Sequence, residues 1–349
     1  MEEFNKRGGF EVTQRLARAG SHTSIYDFKA QEEVVLQDPR SLGTSNDSEV
    51  TNFILVAFRV RPELHILLFL VFLLVYAMGL LGNVGMMAII KTDSWLNTPM
   101  YFFLGNLSFI DLFYSSVIAP KAMINFWSES KSISFAGCVT QLFLFALFIV
   151  TEGFLLAAMA YDCFIAICNP LLYSVQMSTR LCSQLVAGSY FTDCISSIIH
   201  TNKTFTLFFH AFWAMDHFYC NDHPLQRVSC SDLYIHKMVS FFLCSIIVLP
   251  TIIVIIVSYM YIVSTVLKTC STEGSKKAFS TCSSHLGVVS VLCGAVFFMY
   301  LAPDRFYELN KVSSLCYTLV TPMLNLLIYF LRNKDVKEAL RNILEKKII

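Results

Sequence analysis

Two acidic residues, Asp111 and Glu152, lie inside long apolar stretches of this 349-residue chain. An ionised carboxylate costs a few kcal/mol or more in a membrane interior unless it is paired or hydrated. We therefore expect both side chains to face inward, where at a minimum they join helices by hydrogen bonds. They can do so as protonated, hydrogen-bonded acids.

A second group with possible chemistry is His217, Cys220 and His223, spaced three residues apart, with His210 earlier in the same segment. Histidine and cysteine at short spacing can bind zinc. Histidines in an exposed loop are usually solvated, however, and we predict no metal site. The sequence also lacks a Gly-rich phosphate loop, a nucleophile elbow and a paired-histidine metal motif, so it does not indicate an enzyme.

The composition indicates lipid rather than water as the main solvent of the chain. Hydrophobic residues make up 55% of the sequence and charged residues only 15%, well below the quarter that is usual in soluble domains. The net charge of +1 gives no reason to expect nucleic acid as a partner.

Seven stretches are long and apolar enough to cross a bilayer, which requires about 20 residues of helix. The sequence therefore predicts an all-α membrane protein with a bundle of seven transmembrane helices. The fourth stretch is weak because it is rich in Ser and Thr, and its Asp193 must face other helices or a membrane surface. The stretches are 66–90, 100–119, 138–161, 181–200, 238–263, 278–301 and 312–331.

The segments outside the spans complete three predicted regions: an extracellular flexible tail over 1–61, a membrane domain over 62–331 and a cytoplasmic tail over 332–349. Residues 1–45 are an atypical extension, and the last region should contain an amphipathic helix with Leu340 and Leu344 against lipid. The bias of Lys and Arg toward the cytoplasmic side is small. Two glycosylation sequons, at Asn46 and Asn202, both favour an extracellular N-terminus.

Several sequence blocks, in order along the chain, resemble the olfactory (odorant) receptor family of rhodopsin-like G-protein-coupled receptors. They are specific patterns rather than generic apolar runs. The blocks are Gly82-Asn83, Pro99-Met100-Tyr101-Phe102-Phe103-Leu104, Leu107-Ser108-Phe109-Ile110-Asp111, Met159-Ala160-Tyr161-Asp162, Ala166-Ile167-Cys168-Asn169-Pro170-Leu171, Lys277-Ala278-Phe279-Ser280-Thr281-Cys282, Pro322-Met323-Leu324-Asn325 and Ile328-Tyr329.

The resemblance implies a plasma-membrane receptor that binds small volatile odorants and activates a stimulatory heterotrimeric G protein, which raises cyclic AMP. It also implies a structural sodium ion held by Asn83, Asp111, Glu152 and Asn325. Protonated acids at Asp111 and Glu152 remain the alternative to this ion. No other cofactor is expected.

The ligand pocket is expected between the outer halves of the third, fifth and sixth helices. One turn of spacing places Phe145, Ala146, Ile149 and Val150 near one almost wholly apolar face. Such a face suits small hydrophobic molecules. For each single residue, ordinary helix packing is the alternative.

The resemblance also implies a disulfide from Cys138 to Cys220 that roofs this pocket. Family members usually close a second disulfide within the same long loop. Here His210 replaces its first cysteine, so that Cys230 lacks the usual partner. A lost disulfide can cost about 2 to 5 kcal/mol, which predicts a looser loop.

The signalling switch departs from the family pattern at three positions. Asp162-Cys163-Phe164 stands where the family has Asp-Arg-Tyr, and cysteine supplies neither the charge nor the donors of arginine. Cys293 replaces a tyrosine in the sixth helix, and Leu326 replaces a proline in the seventh, which predicts a straighter helix there. Tyr259 and Tyr329 complete the switch positions.

Three functions therefore remain as hypotheses. The first is an odorant receptor with impaired coupling, and the second is a receptor-like chain that folds and can bind ligand without signalling. A seven-helix transporter or channel is the third, and it is disfavoured because the sequence shows no internal repeat.

Overall fold

The computed structural model describes residues 52–56, 62–128, 131–207, 214–229, 231, 233–268, 285–295, 313–332 and 334–348. Five long helices dominate the fold: α1 (Pro62–Thr92), α2 (Pro99–Trp127), α3 (Phe135–Cys168), α5 (Thr179–Phe205) and α7 (Leu233–Lys268). The shorter helices are α4 (Tyr173–Gln176), α6 (Asp222–Val228), α8 (His285–Ala295), α9 (Thr321–Arg332) and α10 (Lys334–Ile348). Short 3-10 turns cover Ser94–Leu96 and Pro170–Leu172.

Four of these helices, α1, α2, α3 and α7, are long and apolar enough to cross a membrane. Large apolar side chains point outward on them, including Leu81 at 71% and Ile246 at 70% exposure. Exposed apolar surface of this extent is typical of a protein that contacts lipid. Helix α5 covers the fourth predicted span and is long, but it is less apolar, as its Ser and Thr content predicts.

The predicted spans and the helices agree in position. Each of the first five spans lies within one long helix, and α8 and α9 overlap the sixth and seventh spans. Helix α3 is central, because it packs against α2, α5 and α7, whereas α9 packs against α1 and α2. Residues 269–284 and 296–312 lie outside the described part, so the full extent of the sixth helix is not described.

Polar side chains help to set where the long helices begin. The hydroxyl of Ser134 accepts a hydrogen bond from the Gly137 backbone N–H at 3.1 Å, and Ser178 caps α5 in the same way through Leu181 at 3.4 Å. Pro99 occupies the first turn of α2, where its missing N–H costs nothing. These caps place the start of each helix at a definite residue.

A small sheet closes one end of the bundle. Its central strand β1 (Asn52–Leu55) pairs antiparallel with β2 (Ser132–Ser134) and parallel with β3 (Ala214–Met215). Phe53 and Leu55 alternate along β1 and are fully buried against the bundle. The prediction of a flexible tail over 1–61 is therefore wrong for these residues, because backbone pairing and two buried apolar side chains fix them.

We call this the sheet end. The opposite end, where α1 and α3 finish and α10 lies, is the tail end. Helix α10 was expected to press Leu340 and Leu344 against lipid, but Val336 and Ala339 are buried in the main core and Leu340 packs against it. Leu340 is only partly buried, so its contact with lipid stays a prediction. The Leu344 side chain lies outside the described set.

Leu326, which stands where the family has a proline, lies inside α9, and α9 runs without a break from Thr321 to Arg332, but the segment before α9 is not a regular α-helix. A π-helical turn covers Cys316–Val320 directly before α9, and the Thr321 N–H bonds to the Cys316 carbonyl. A regular α-helix would need an N–H at position 322, where Pro322 has none. The wider π-helical turn therefore follows from Pro322, which lies four positions before Leu326.

Candidate functional site

A cluster of buried polar side chains lies at the centre of the bundle. The Asn325 side-chain amide donates to Asp111 Oδ2 at 3.2 Å and to Glu152 Oε1 at 3.2 Å, so α9 is bonded to both α2 and α3. All three residues are almost fully buried. The structure thus brings together three of the four residues predicted for an ion site.

The fourth residue, Asn83, is buried close by but bonds elsewhere. Its amide donates to the Gly79 carbonyl at 2.9 Å and to the Pro322 carbonyl at 3.4 Å. Pro322 lies one helical turn before Asn325. Asn83 therefore holds the backbone of the segment that carries Asn325, and these two hydrogen bonds reach neither carboxyl group.

Tyr317 belongs to this cluster and was missed by the sequence analysis. Its hydroxyl donates to Glu152 Oε2, and the π-helical turn directs the ring into the core, where it packs edge-on against Tyr114 at 5.4 Å. A tyrosine in an apolar helix carries no sequence signal for such a bond. Only the local helix geometry decides which way the ring points.

Asp193 forms a separate link between α5 and α3. One carboxyl oxygen accepts bonds from both the backbone N–H of Thr151 at 2.7 Å and its hydroxyl at 2.6 Å, and the other accepts from Ser196 and Ser197. The side chain faces a neighbouring helix and is fully buried. This matches the first of the two placements expected for it.

The predicted ligand-facing residues lie along the part of α3 nearer the sheet end. Phe145 and Ile149 are buried, and Ala146 and Val150 are partly buried. Phe145 packs between Tyr114 of α2 at 5.5 Å and Tyr219 at 5.2 Å. Residues 296–301, the outermost part of the sixth span, which should form the opposite wall, lie outside the described residues.

The loop segment that leads to Cys220 covers this region, and we call it the roof. Cys138 and Cys220 form a disulfide that joins the first turn of α3 to the segment before α6. The Cys220 N–H also donates to Gln141 Oε1 at 2.9 Å, and the Gln141 amide donates to the Val117 carbonyl of α2 at 3.0 Å. The loop is therefore fastened to two helices.

The residues just before Cys220 point into the protein. His217, Phe218 and Tyr219 are each at most 1% exposed. His217 stacks on Phe218 at 4.6 Å, and its Nδ1 accepts the Tyr219 N–H at 3.5 Å. The expectation that these loop histidines are solvated is wrong for His217, because the disulfide draws its segment beneath the roof.

A network that we call the Asp222 clasp joins α5, α6 and α7 at the sheet end. One Asp222 oxygen accepts from Thr204 at 2.8 Å and lies 3.2 Å from His236 Nε2. The other accepts from Gln226 at 2.9 Å and lies 3.3 Å from His200 Nε2 and 3.9 Å from Lys203 Nζ.

Burial alone would raise the pKa of the Asp222 carboxyl. Hydrogen bonds from His200 and His236, with the charges of His200 and Lys203, instead hold this pKa well below its usual range. Asp222 is therefore a carboxylate with partners from three elements. The sequence analysis missed it because its partners are separated along the chain by up to 22 residues or belong to different helices.

At the tail end, Asp162 Oδ1 accepts a hydrogen bond from the Tyr173 hydroxyl at 2.9 Å. The bond ties α3 to the short helix α4. Cys163 is buried beside it, and the Phe164 ring packs against Tyr261 of α7 at 5.6 Å. Cys163 brings neither charge nor a guanidinium group to this end of α3.

Two further switch positions lie between α7, α8 and α9. The Tyr259 hydroxyl is 2.6 Å from His285 Nδ1, which bonds α7 to α8. Tyr329 is buried, and its hydroxyl has no hydrogen-bond partner in the part of the chain that the structure describes.

Comparison with known proteins decides the family. The olfactory receptor family model matches residues 72–347. The chain is 82% identical to human olfactory receptor 9K2 over 307 residues, which is 88% of this chain and 92% of that protein. It is 48% identical to human olfactory receptor OR9H1 over 86% of this chain and 98% of the relative, and 47% identical to mouse olfactory receptor 5AP2 over 90% and 100%.

The chain belongs to the olfactory receptor family. Two switch substitutions in this olfactory receptor have clear structural positions. Cys293 is exposed on α8. Leu326 is partly buried and packs on Gly82 of α1, where an added Cβ would overlap its Cδ2 methyl group. The leucine has thus become part of the α1 to α9 contact.

The remaining site predictions for this olfactory receptor concern loops. Asn46, His210 and Cys230 lie outside the described residues. Asn202, predicted as a glycosylation site outside the fourth span, lies in the last turn of α5, where it is exposed while Thr204 of the same sequon is buried in the Asp222 clasp. Helix α5 continues past the predicted span because the clasp fixes its last turn.

Proposed function

We propose that this olfactory receptor binds small hydrophobic odorants and couples weakly to a stimulatory heterotrimeric G protein that raises cyclic AMP. In this proposal, seven helices cross the plasma membrane and lipid surrounds them. The sheet end and the N-terminus are extracellular, and the tail end is cytoplasmic.

The observation that carries the proposal is the course of α3. One continuous helix presents Phe145 and Ile149 beneath the roof, Glu152 in the central polar cluster and Asp162 at the tail end. A ligand that moves this helix therefore acts directly on the residues that would contact the G protein. Olfactory receptor family membership gives the ligand class, and the apolar wall agrees with it.

The central cluster offers a place for the sodium ion. Asp111 and Glu152 supply carboxylate oxygens, and the buried Asn325 Oδ1 has no hydrogen-bond partner among the described residues. Oxygen atoms of this kind suit a hard cation. The ion would supply a positive charge between two carboxylates. Protonation of one or both acids would balance the same charge, and the Tyr317 bond to Glu152 is compatible with either state.

Cys163 is the reason to propose weak coupling. An arginine at this position would offer a permanent charge and a planar set of donors, whereas a thiol offers one weak donor. The same observation supports the second candidate function, a chain that folds and binds odorants without signalling.

A cyclic AMP assay over an odorant panel, combined with direct odorant binding to the purified receptor, tests the proposal. We expect binding in both the natural chain and Cys163→Arg, with a small cyclic AMP response in the first and a response at least about tenfold larger in the second. The triple change Cys163→Arg, Cys293→Tyr and Leu326→Pro tests whether the other two switch positions add to this gain.

Cys163→Lys is the matched control, because it restores charge without the guanidinium fork. All variants need equal surface delivery for comparison. Binding with no cyclic AMP response, even in Cys163→Arg and the triple variant, would favour the second candidate. Absence of odorant binding in every variant would overturn both.

A further inference from the structure

Three aromatic rings join the proposed odorant wall to the central polar cluster. The Phe145 ring of the wall lies 5.5 Å from the Tyr114 ring of α2. The Tyr114 ring in turn packs edge-on against Tyr317 of the π-helical turn at 5.4 Å, and the Tyr317 hydroxyl donates to Glu152 Oε2. We call the three rings the aromatic path. It is a continuous series of side-chain contacts from the wall to a carboxyl group.

Both ends of the aromatic path lie on the same helix. Phe145 and Glu152 are two turns apart on α3, a separation of about 10.5 Å along the helix axis, and their side chains lie on the same side of it. The helix backbone keeps this separation constant. The rings of Tyr114 and Tyr317 bridge the interval from two other segments of the bundle. A displacement of Phe145 therefore reaches Glu152 through side chains while the backbone of α3 stays in place.

The rings of the aromatic path are deeply buried. Phe145, Tyr114 and Tyr317 are each at most 3% exposed. Protein interiors are close-packed, and pairs of aromatic rings prefer particular geometries. A shift of one ring must therefore be accommodated by the ring beside it. Tyr114 contacts both of the others, so it is the link between the wall and Tyr317.

The roof is bonded to the same segment that carries Tyr317. The Tyr219 ring of the roof packs against Phe145 at 5.2 Å, and the Tyr219 hydroxyl bonds to the side chain of Ser314. Ser314 is fully buried and lies about one helical turn before Tyr317. The roof therefore holds both the first ring of the aromatic path and the segment that carries the last one.

The backbone sets the direction of the Tyr317 side chain. Tyr317 lies within the π-helical turn Cys316–Val320, which the missing N–H of Pro322 accounts for. The Pro322 carbonyl accepts a hydrogen bond from the Asn83 amide of α1 at 3.4 Å, so the segment after the turn is held in place. Single π-helical turns often occur at functional sites. The backbone thus presents the Tyr317 hydroxyl to Glu152.

We propose that Tyr317 is a positioning residue for the odorant response, and that it couples Phe145 in the odorant wall to the Glu152 carboxyl group. An odorant that moves the Phe145 ring also moves the two tyrosine rings, and the Tyr317 hydroxyl then changes its bond to the carboxyl group. Glu152 also accepts from the Asn325 amide, so the change reaches α9. This inference rests on the proposed odorant function, and Tyr317 acts in it without contacting the odorant.

Fluorine NMR of the receptor in lipid nanodiscs tests the aromatic path, with fluorotyrosine in place of Tyr317. Phe145→Leu should shift the fluorine signal without any odorant, because it removes the first ring. Phe148→Leu is the matched control on the same helix: its ring is buried and packs against Phe113 at 6.3 Å, outside the aromatic path, so the signal should stay in place. In a Tyr114→Leu background, Phe145→Leu should no longer shift the signal.

Tyr317→Phe tests the bond to Glu152, because it keeps the ring and removes only the hydroxyl. In the Cys163→Arg background, it should lower the maximal cyclic AMP response at least about fivefold and change the odorant Kd less than about twofold, since it removes coupling between sites and no contact with the ligand. A purely structural role would lower the Tm and surface delivery, and would leave the response per receptor at the surface unchanged.

Three results would overturn the proposal. The first is an equal effect of Phe145→Leu and Phe148→Leu on the fluorine signal. The second is a Phe145→Leu shift that persists in the Tyr114→Leu background, and the third is an unchanged maximal response of Tyr317→Phe at equal surface delivery. Failure of the proposed function looks different, because no variant would then bind odorant or raise cyclic AMP. The fluorine measurements would still decide the aromatic path, since they require neither odorant nor G protein.

Discussion

At the sheet end, Asp222 is held by side chains from three helices, the Cys138 to Cys220 disulfide lies nearby, and β1 is bonded on both edges. At the tail end, the corresponding acid, Asp162, bonds to the neutral Tyr173 hydroxyl and is followed by Cys163 instead of an arginine. Both acids are buried. They differ in their partners, because basic side chains face Asp222 whereas a neutral hydroxyl bonds to Asp162.

A receptor must hold its helices in place and must also transmit a signal, and the two ends of the molecule correspond to these two tasks. The sheet end fixes the relative positions of α3, α5 and α7 by bonds that need not change when a ligand binds. A signalling end requires a charge that can exchange partners between states. The chain has the contacts of the first task, and the proposal of weak coupling rests on Cys163 standing at the second.

The largest expected effect comes from removal of the disulfide. Cys138→Ser opens a link across 82 residues and should lower the free energy of unfolding by about 4 kcal/mol. Unfolding in detergent and the fraction delivered to the cell surface measure this loss. Cys194→Ser, at a free cysteine, is the control. Equal stability of the two variants would show that the roof does not hold the sheet end.

Removal of the Asp222 carboxylate should have the next largest effect. Asp222→Ala leaves His200, Lys203 and His236 facing one another without their shared acceptor, which should cost about 3 kcal/mol. Asp222→Asn should lose less because it keeps the shape. The same unfolding measurement applies, with the exposed Asp216→Ala as control. Similar stability of Asp222→Ala and the control would show that the Asp222 clasp does not stabilise the sheet end.

The clasp also predicts a pH dependence. Because folding lowers the pKa of Asp222, its stabilisation is complete above the unfolded value of about 3.9 and is lost only as the pH falls through the lower folded value. The difference in stability between the natural chain and Asp222→Asn should therefore not shrink through loss of the Asp222 charge between pH 7 and pH 5.

An intermediate effect is expected where α1 meets α9. Gly82→Ala would press a methyl group against Leu326 and should cost about 1 to 3 kcal/mol unless the leucine rotates away. Gly79→Ala and Gly85→Ala meet open space and should stabilise α1 by up to about 1 kcal/mol. Thermal unfolding should separate the three variants. The double change Gly82→Ala and Leu326→Ala should recover stability, and no recovery would exclude this contact as the cause.

The smallest effect is expected at the tail end. Tyr173→Phe removes the hydroxyl that donates to Asp162 and should cost about 1 kcal/mol. In a Cys163→Arg background, the new guanidinium can replace that donor, so the same change should cost less. A double-mutant cycle on unfolding measures the difference. Additive costs would mean that the restored arginine does not reach Asp162.

The sequence predictions were accurate where they depended on the cost of exposing a polar group to lipid, and they failed where the contact joins distant segments of the chain. Asp193 was expected to face other helices or a membrane surface because burial of a charged group among lipid is costly, and the first placement is the one observed. The burial of Asp111 and Glu152 was predictable for the same reason, whereas Asn325 was expected beside them only from the family resemblance. Tyr317, His217 and Asp222 were missed, since nothing in a single tyrosine, histidine or aspartate identifies partners in distant segments.

The amino-acid sequence alone determined the helical character, the approximate positions of the long helices and the inward orientation of the polar residues within them. These follow from local composition and from the cost of exposing polar groups to hydrocarbon. Only the tertiary structure decided that β1 joins two loops, that Pro322 gives a π-helical turn and that Leu326 packs on Gly82. Each of these depends on atoms brought together from remote parts of the chain, where shape and hydrogen-bond geometry select the partner.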